Sequence, residues 1–223
     1  MSASIQYHAM IVSDSLRNAI RYEGGFPLSE DIMDKLFSYA TRKDLGKEEY
    51  IIKPSTVNKS IWITEKGVTK AVYNDGKKLQ ILGFSGPGTI TMSPLSQVLG
   101  RPSFCGFQTI TECVMLEIDK KNFDRLMMES HEFSRWMYGI MVSQFCALEL
   151  KAQMLSEGDV TMNFKNMVKR QMKLDKDGFD PNRPDLLTLV SSKDLAAYLG
   201  ITQSYLSNIR KALIEEERNK NKN

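Results

Sequence analysis

Apolar residues along the chain change period twice, and each change marks a change of element. After a helical N-terminal segment, Ser29 caps a short helix whose apolar positions Ile32, Met33, Leu36 and Phe37 follow the helical period. From Tyr50 to Ile118 the pattern becomes short runs rich in Ile, Val, Thr, Tyr and Phe. They are separated by turn signals at Glu65-Lys66-Gly67, Asn74-Asp75-Gly76 and Ser85-Gly86-Pro87-Gly88. Ile61–Ile63, Val68–Tyr73, Leu79–Phe84 and Thr109–Ile118 read as successive strands of a small antiparallel barrel or roll.

Asp119 then opens a long helical pattern reaching about Ser156, in which Gly139 is the weak point. Phe133, Met137, Met141, Phe145, Leu148, Ala152 and Leu155 recur at spacings of four and three, the seam expected where a helix meets a partner helix. Trp136, Tyr138, Ile140 and Val142 lie on other faces and are free to pack on the roll. The seam therefore predicts a second subunit, with an intramolecular core helix as the alternative. The methionines fit such a broad seam as gap fillers. Glu157-Gly158-Asp159 interrupts the pattern and reads as a hinge: Gly158 breaks the helix and Asp159 caps a new one from Val160, carrying Met162, Phe164, Met167, Val168 and Met172. A loop over 176–185 and a short strand Leu186–Val190 follow.

The segment VSSKDLAAYLGITQSYLSNIRKAL, Val190 to Leu213, has the spacing of two short helices joined by a tight turn. Ser191 caps the first, with Asp194 in its positively polarised first turn. Leu195, Ala196 and Leu199 face inward, Gly200 permits the reversal, and Thr202 caps the second helix. There Leu206, Ile209 and Leu213 form one buried stripe, leaving Gln203, Ser204, Ser207, Asn208 and Lys211 outside. Short amide and hydroxyl side chains near the N-terminus of an exposed helix suit a DNA major groove, since Gln and Asn bond adenine bidentately. A solvated helical hairpin is the bland alternative.

Composition narrows the picture. The chain has 223 residues with 42% hydrophobic content, enough for a sizeable core and a smaller second one. No apolar run approaches the roughly 20 residues that cross a bilayer, and the N-terminus lacks a basic region before an apolar core, which predicts a cytoplasmic protein with no membrane partner. Cys105, Cys113 and Cys146 are odd in number and widely separated, without a CxxC pair. They read as buried thiols, with no metal. Residues 1–158 carry 18 Lys+Arg against 18 Asp+Glu and residues 159–223 carry 12 against 9, so the whole net charge of +3 lies in the C-terminal part. That balance suits phosphate attraction, although Glu215, Glu216 and Glu217 oppose it. No His-Asp-Ser arrangement, metal-ligand spacing or phosphate loop is present, so the chain reads as a non-enzyme without an evident cofactor.

The order of roll, long helix, hinge and C-terminal helix-turn-helix resembles the Crp-Fnr family of bacterial transcription regulators over nearly the whole chain. The resemblance is strongest at VSSKDLAAYLGITQSYLSNIRKAL and extends to LSEDIMDKLF, EEYIIKP and KGVTKAVYNDGKKLQIL. It implies an α+β fold: an N-terminal antiparallel β-roll of the double-stranded β-helix or jelly-roll type with flanking helices, over 1–118. A dimerisation helix over 119–156 and a hinge with a helix-turn-helix domain over 157–223 complete it. It further implies a homodimer that reads a palindromic operator in double-stranded DNA, with RNA polymerase as a candidate partner, and a small effector held in the roll.

Matched by position, the family's groove-reading residues fall on Gln203, Ser204 and Asn208, where Arg, Glu and Arg are usual, so a different sequence should be read. The cyclic AMP signature, Gly-Glu followed by Arg-Ser/Thr-Ala, corresponds here to GPGTITMSPLSQVLGRPSFCGFQTI. Gly-Glu is missing and Phe104 and Cys105 stand where Arg and Ser belong, which disfavours a charged cyclic phosphate. Phe84, Arg101, Phe104 and Phe107 are the candidate lining of an effector pocket, with Leu82 and Ile90 beside them. The cysteine cluster of oxygen-sensing members is absent, and His8 and His131 make no haem pair. After Leu213 only IEEERNKNKN remains, too short and polar for the wing of many members, so phosphate contact is expected from Lys193, Tyr205, Arg210 or Lys211. The competing function is a ligand-binding or protein-interaction module that keeps the helix-turn-helix as scaffold.

Overall fold

A computed structural model describes residues 12–74, 79–166 and 186–220. The expected apolar positions Met167, Val168 and Met172, the 176–185 loop and His8 lie outside them. Among the described residues, eight antiparallel strands form two four-stranded sheets. Strands β1 (Thr41–Leu45), β8 (Cys113–Asp119), β3 (Ser60–Lys66) and β6 (Ile90–Thr91) order the first as β1-β8-β3-β6. Strands β2 (Tyr50–Ile52), β7 (Gly106–Thr109), β4 (Thr69–Asn74) and β5 (Leu79–Ser85) order the second as β2-β7-β4-β5.

Alternation along the strands divides the core. On the first sheet Ile61, Ile63, Ile90, Leu116 and Ile118 face outward into a cluster with α1 (Asp14–Glu23), α2 (Glu30–Ser38), α4 (Lys120–Glu129) and α5 (His131–Glu157). The opposite face meets the second sheet, where Ile51, Ile52, Cys113 and Met115 pack with Leu45, Trp62 and Phe107. A six-residue helix α3 (Pro94–Leu99) closes one end, opened by Ser93 and ended by Gly100 at φ 62°.

Several expectations need correction. Thr109–Ile118 is two strands: Thr109 ends β7, β8 begins at Cys113, and Ile110–Glu112 between them cross from one sheet to the other. The pattern from Asp119 to Ser156 is two helices, because Ser130 is extended and its Oγ accepts the Phe133 N–H at 3.1 Å, restarting the helix in a new direction. Gly139 does not weaken α5. A Cβ there would lie 1.7 Å from the Gly24 carbonyl oxygen, so glycine lets the end of α1 rest against the α5 backbone. Ser29 stands at the cap position of α2, yet its hydroxyl bonds Glu132 at the start of α5 instead of its own helix. Residues Leu186–Leu189 are a short helix, α7, not a strand. Of the three thiols only Cys113 is buried; Cys105 is half-buried and Cys146 is exposed on α5.

At the hinge, α5 ends on Gly158 at φ 73° and Asp159 Oδ1 accepts the Met162 N–H at 2.9 Å, opening a helix α6 described over 160–166. Phe164 on α6 is buried while Met162 is exposed.

Candidate nucleic-acid interface and its supports

The helix pair forms as its caps dictate. Ser191 Oγ accepts the Asp194 N–H at 3.0 Å and starts α8 (Ser192–Leu199), which ends on Gly200 at φ 75°. Thr202 Oγ1 accepts the Tyr205 N–H at 3.2 Å and starts α9 (Gln203–Lys220). Leu195, Ala196, Leu199, Leu206 and Ile209 share one buried cluster with Val190 and Phe164, and Leu213 is half-buried beside it. On the far side Gln203, Ser204, Tyr205, Ser207, Asn208 and Lys211 are all exposed, as is Lys193 at the start of α8. Arg210 is engaged locally: Nη1 donates to Ser192 Oγ at 2.9 Å and the guanidinium lies 5.9 Å from the Phe164 ring centroid. It braces the two helices.

The seam divides. Phe133 and Met137 are buried in the cluster between α5 and the roll, and Met141 packs against it, so these three serve the core of their own chain. Phe145, Leu148, Ala152 and Leu155 are exposed. Trp136 and Ile140 pack on the roll as expected, but Tyr138 and Val142 are exposed and join the outer stripe. All seven seam residues lie on the single unbroken helix α5, and what divides them is which of its turns the chain's own core covers, which periodicity alone did not carry.

The expected effector lining is not brought together. Phe104 is 78% exposed and Arg101 is exposed, both on the segment after α3. Ile90 faces the helices. Phe84 points away from the roll interior, with its ring centroid 5.4 Å from that of Tyr198 on α8. Phe107 alone of the expected residues packs inside. Trp62, Thr64 and Thr91 share the interior face of the first sheet by alternation on β3 and the Trp62–Thr91 pairing. Their Nε1 and Oγ1 atoms are buried and make no hydrogen bond among the described residues.

Sequence reasoning also missed two lysines. Lys70 on β4 reaches Asp194 on α8, Nζ to Oδ1 3.0 Å, with only 6% and 10% of the side chains exposed. Lys151 on α5 donates to the Tyr198 carbonyl oxygen and lies 3.5 Å from the centre of its ring. Burial pulls the Lys151 ammonium down to about 8. Asp194 has a local signal as a first-turn acid, but nothing in the pattern of β4 announces its partner 124 residues away.

Comparison with known proteins agrees with this geometry. Residues 42–130 match the family model of the cyclic nucleotide-binding domain. Three solved structures superpose on most of the chain. CLP of Xanthomonas campestris, a c-di-GMP-responsive global regulator, is 18% identical, with a TM-score of 0.64 over 85% of this chain and 93% of its own. FixK2 of Bradyrhizobium japonicum is 14% identical, TM-score 0.68, over 80% and 86%. The chain has a Crp-Fnr-like fold. CooA from Carboxydothermus hydrogenoformans, as a double mutant, is 14% identical, TM-score 0.66, over 93% and 88%. No curated protein sequence matches the chain. Among the described residues no helix is long and apolar enough to cross a membrane, and no three His, Cys, Asp or Glu side chains gather to hold a metal.

Proposed function

We propose that this chain is a sequence-specific transcription regulator that binds a two-fold symmetric DNA site as a homodimer. The observation carrying the reading is the exposed row Gln203, Ser204, Ser207 and Asn208 at the N-terminal end of α9, opposite the buried Leu206 and Ile209. A capped helix with polar amides outward and a fixed apolar underside is what major-groove readout requires. Lys193 and Lys211, both exposed, stand to either side for phosphate. The dimer is formed along α5, where Tyr138, Val142, Phe145, Leu148 and Leu155 are exposed apolar side chains on a helix about 40 Å long.

The effector is a small molecule other than cyclic AMP. Arg101 and Phe104 turned to solvent support this, because a buried phosphate needs a fixed cation beside it. The unpaired polar atoms of Trp62, Thr64 and Thr91 favour an uncharged molecule with hydrogen-bonding groups, since buried polar groups are nearly always bonded.

Selection from random duplexes should return a palindrome with half-site centres about one helical turn apart. Gln203→Ala with Asn208→Ala should then erase discrimination worth about 1–3 kcal/mol per bidentate base contact, while a non-specific duplex binds as before. A wild type that selects no duplex would instead favour the interaction-module reading, and unchanged selectivity in the variant would move base reading to other residues.

A further inference from the structure

We propose that Lys70, a residue of the roll, is a positioning residue for DNA reading: it fixes the angle at which the helix-turn-helix is presented. The inference rests on the DNA-reading function above. Lys70 and Phe84 are directly paired across β4 and β5, so their side chains rise from the same outer face of the second sheet. Asp194 and Tyr198, four residues apart, occupy one face of α8. Lys70 bonds the first and Phe84 stacks on the second, so α8 packs on β5 and is tied by one side chain from each of the two strands.

Lys151 grips the same helix from α5 at its other end, through the Tyr198 carbonyl and ring. Beside that contact, Leu155 lies 3.3 Å from where a side chain on Gly200 would begin. Helix α8 is thus held at its first turn by Lys70 of the sheet and at its last turn by Phe84 of the sheet together with the long helix. Helix α9 packs on α8 through Leu206 and Ile209, so whatever fixes α8 fixes the reading face.

A buried ion pair adds little net stability relative to an apolar pair, but it tolerates few geometries. An apolar contact can slide; a desolvated ammonium cannot leave its carboxylate without exposing both charges to an apolar surround. Lys70–Asp194 is therefore suited to setting register. In a dimer, that register fixes the distance between the two reading helices, and spacing between half-sites is the property it controls.

The test uses the full chain and a duplex pool that keeps the selected half-sites while varying the spacer. Wild type should accept one spacing. Lys70→Met should lose about 3- to 30-fold at that spacing and accept neighbouring spacings, with half-site sequence preference intact. Lys70→Met/Asp194→Asn removes the stranded carboxylate, so its thermal midpoint should recover while the relaxed spacing persists. A spacing preference that never changes, or that returns together with the midpoint, overturns the proposal. Should Lys70→Met fail to fold, the double variant, which strands no charge, carries the test alone: relaxed spacing supports the proposal and the wild-type spacing overturns it. A wild-type chain that selects no duplex would sink the DNA-reading function itself, a result distinct from a wild type that selects one spacing and a variant that matches it.

Discussion

Single residues in this chain do two jobs that composition does not separate. Gly139 and Gly24 meet backbone to backbone where α1 ends against α5, and a methyl group at 139 has nowhere to go but into a carbonyl. Gly139→Ala should lower stability by about 1–3 kcal/mol, read as a fall in thermal midpoint, although alanine is the better helix former in isolation. Lys151 makes a second case. Its ammonium is pulled by burial from the ordinary 10.5 to about 8, so the folded chain binds fewer protons than the unfolded one between those values. Stability from this group is lowest below pH 8, where both states are protonated, and rises as pH climbs through that window. Denaturant midpoints of wild type measured against Lys151→Met should move in favour of wild type between pH 8 and 10. A constant difference would show that the ammonium keeps an ordinary affinity for its proton.

Among the elements, α5 has one face covered by its own chain and one left exposed. Its first half buries Phe133, Trp136, Met137 and Ile140 on the roll, and Gln144 Nε2 donates to the Ile90 carbonyl at 3.2 Å to hold it there. Its outward side carries Tyr138, Phe145, Leu148, Ala152 and Leu155, spaced as a helix pair requires. Phe145→Glu/Leu148→Glu should therefore convert a dimer to a monomer in sedimentation, with the roll's thermal transition nearly unchanged because neither side chain enters the core. A variant that stays dimeric would place the subunit contact elsewhere.

At the scale of the whole molecule, the roll and the helix-turn-helix are joined by more than the hinge. The polar pair Lys70–Asp194 and the aromatic pair Phe84–Tyr198 make the second sheet a floor for α8. A molecule bound between the sheets would press on strands β4 and β5 from inside while α8 rests on them from outside. Differential binding to two arrangements of that floor is all that an effector needs to shift their populations.

Local chemistry alone determined a good deal. The caps at Ser191, Thr202 and Asp159, the left-handed turn at Gly200 and the stripe Leu206–Ile209 depend on neighbours within four residues, and all are where their spacing placed them. The strands β3, β4 and β5 were legible for the same reason, each being an alternating run between turn residues. Tertiary contact decided the rest. Periodicity reports that a face is apolar but not what covers it, so Phe133 and Met137 belong to the core and Phe145 to the surface although all share one spacing. Phe84 and Lys70 were assigned no outward role because their partners stand more than a hundred residues away, on a helix that only the folded chain brings to the sheet.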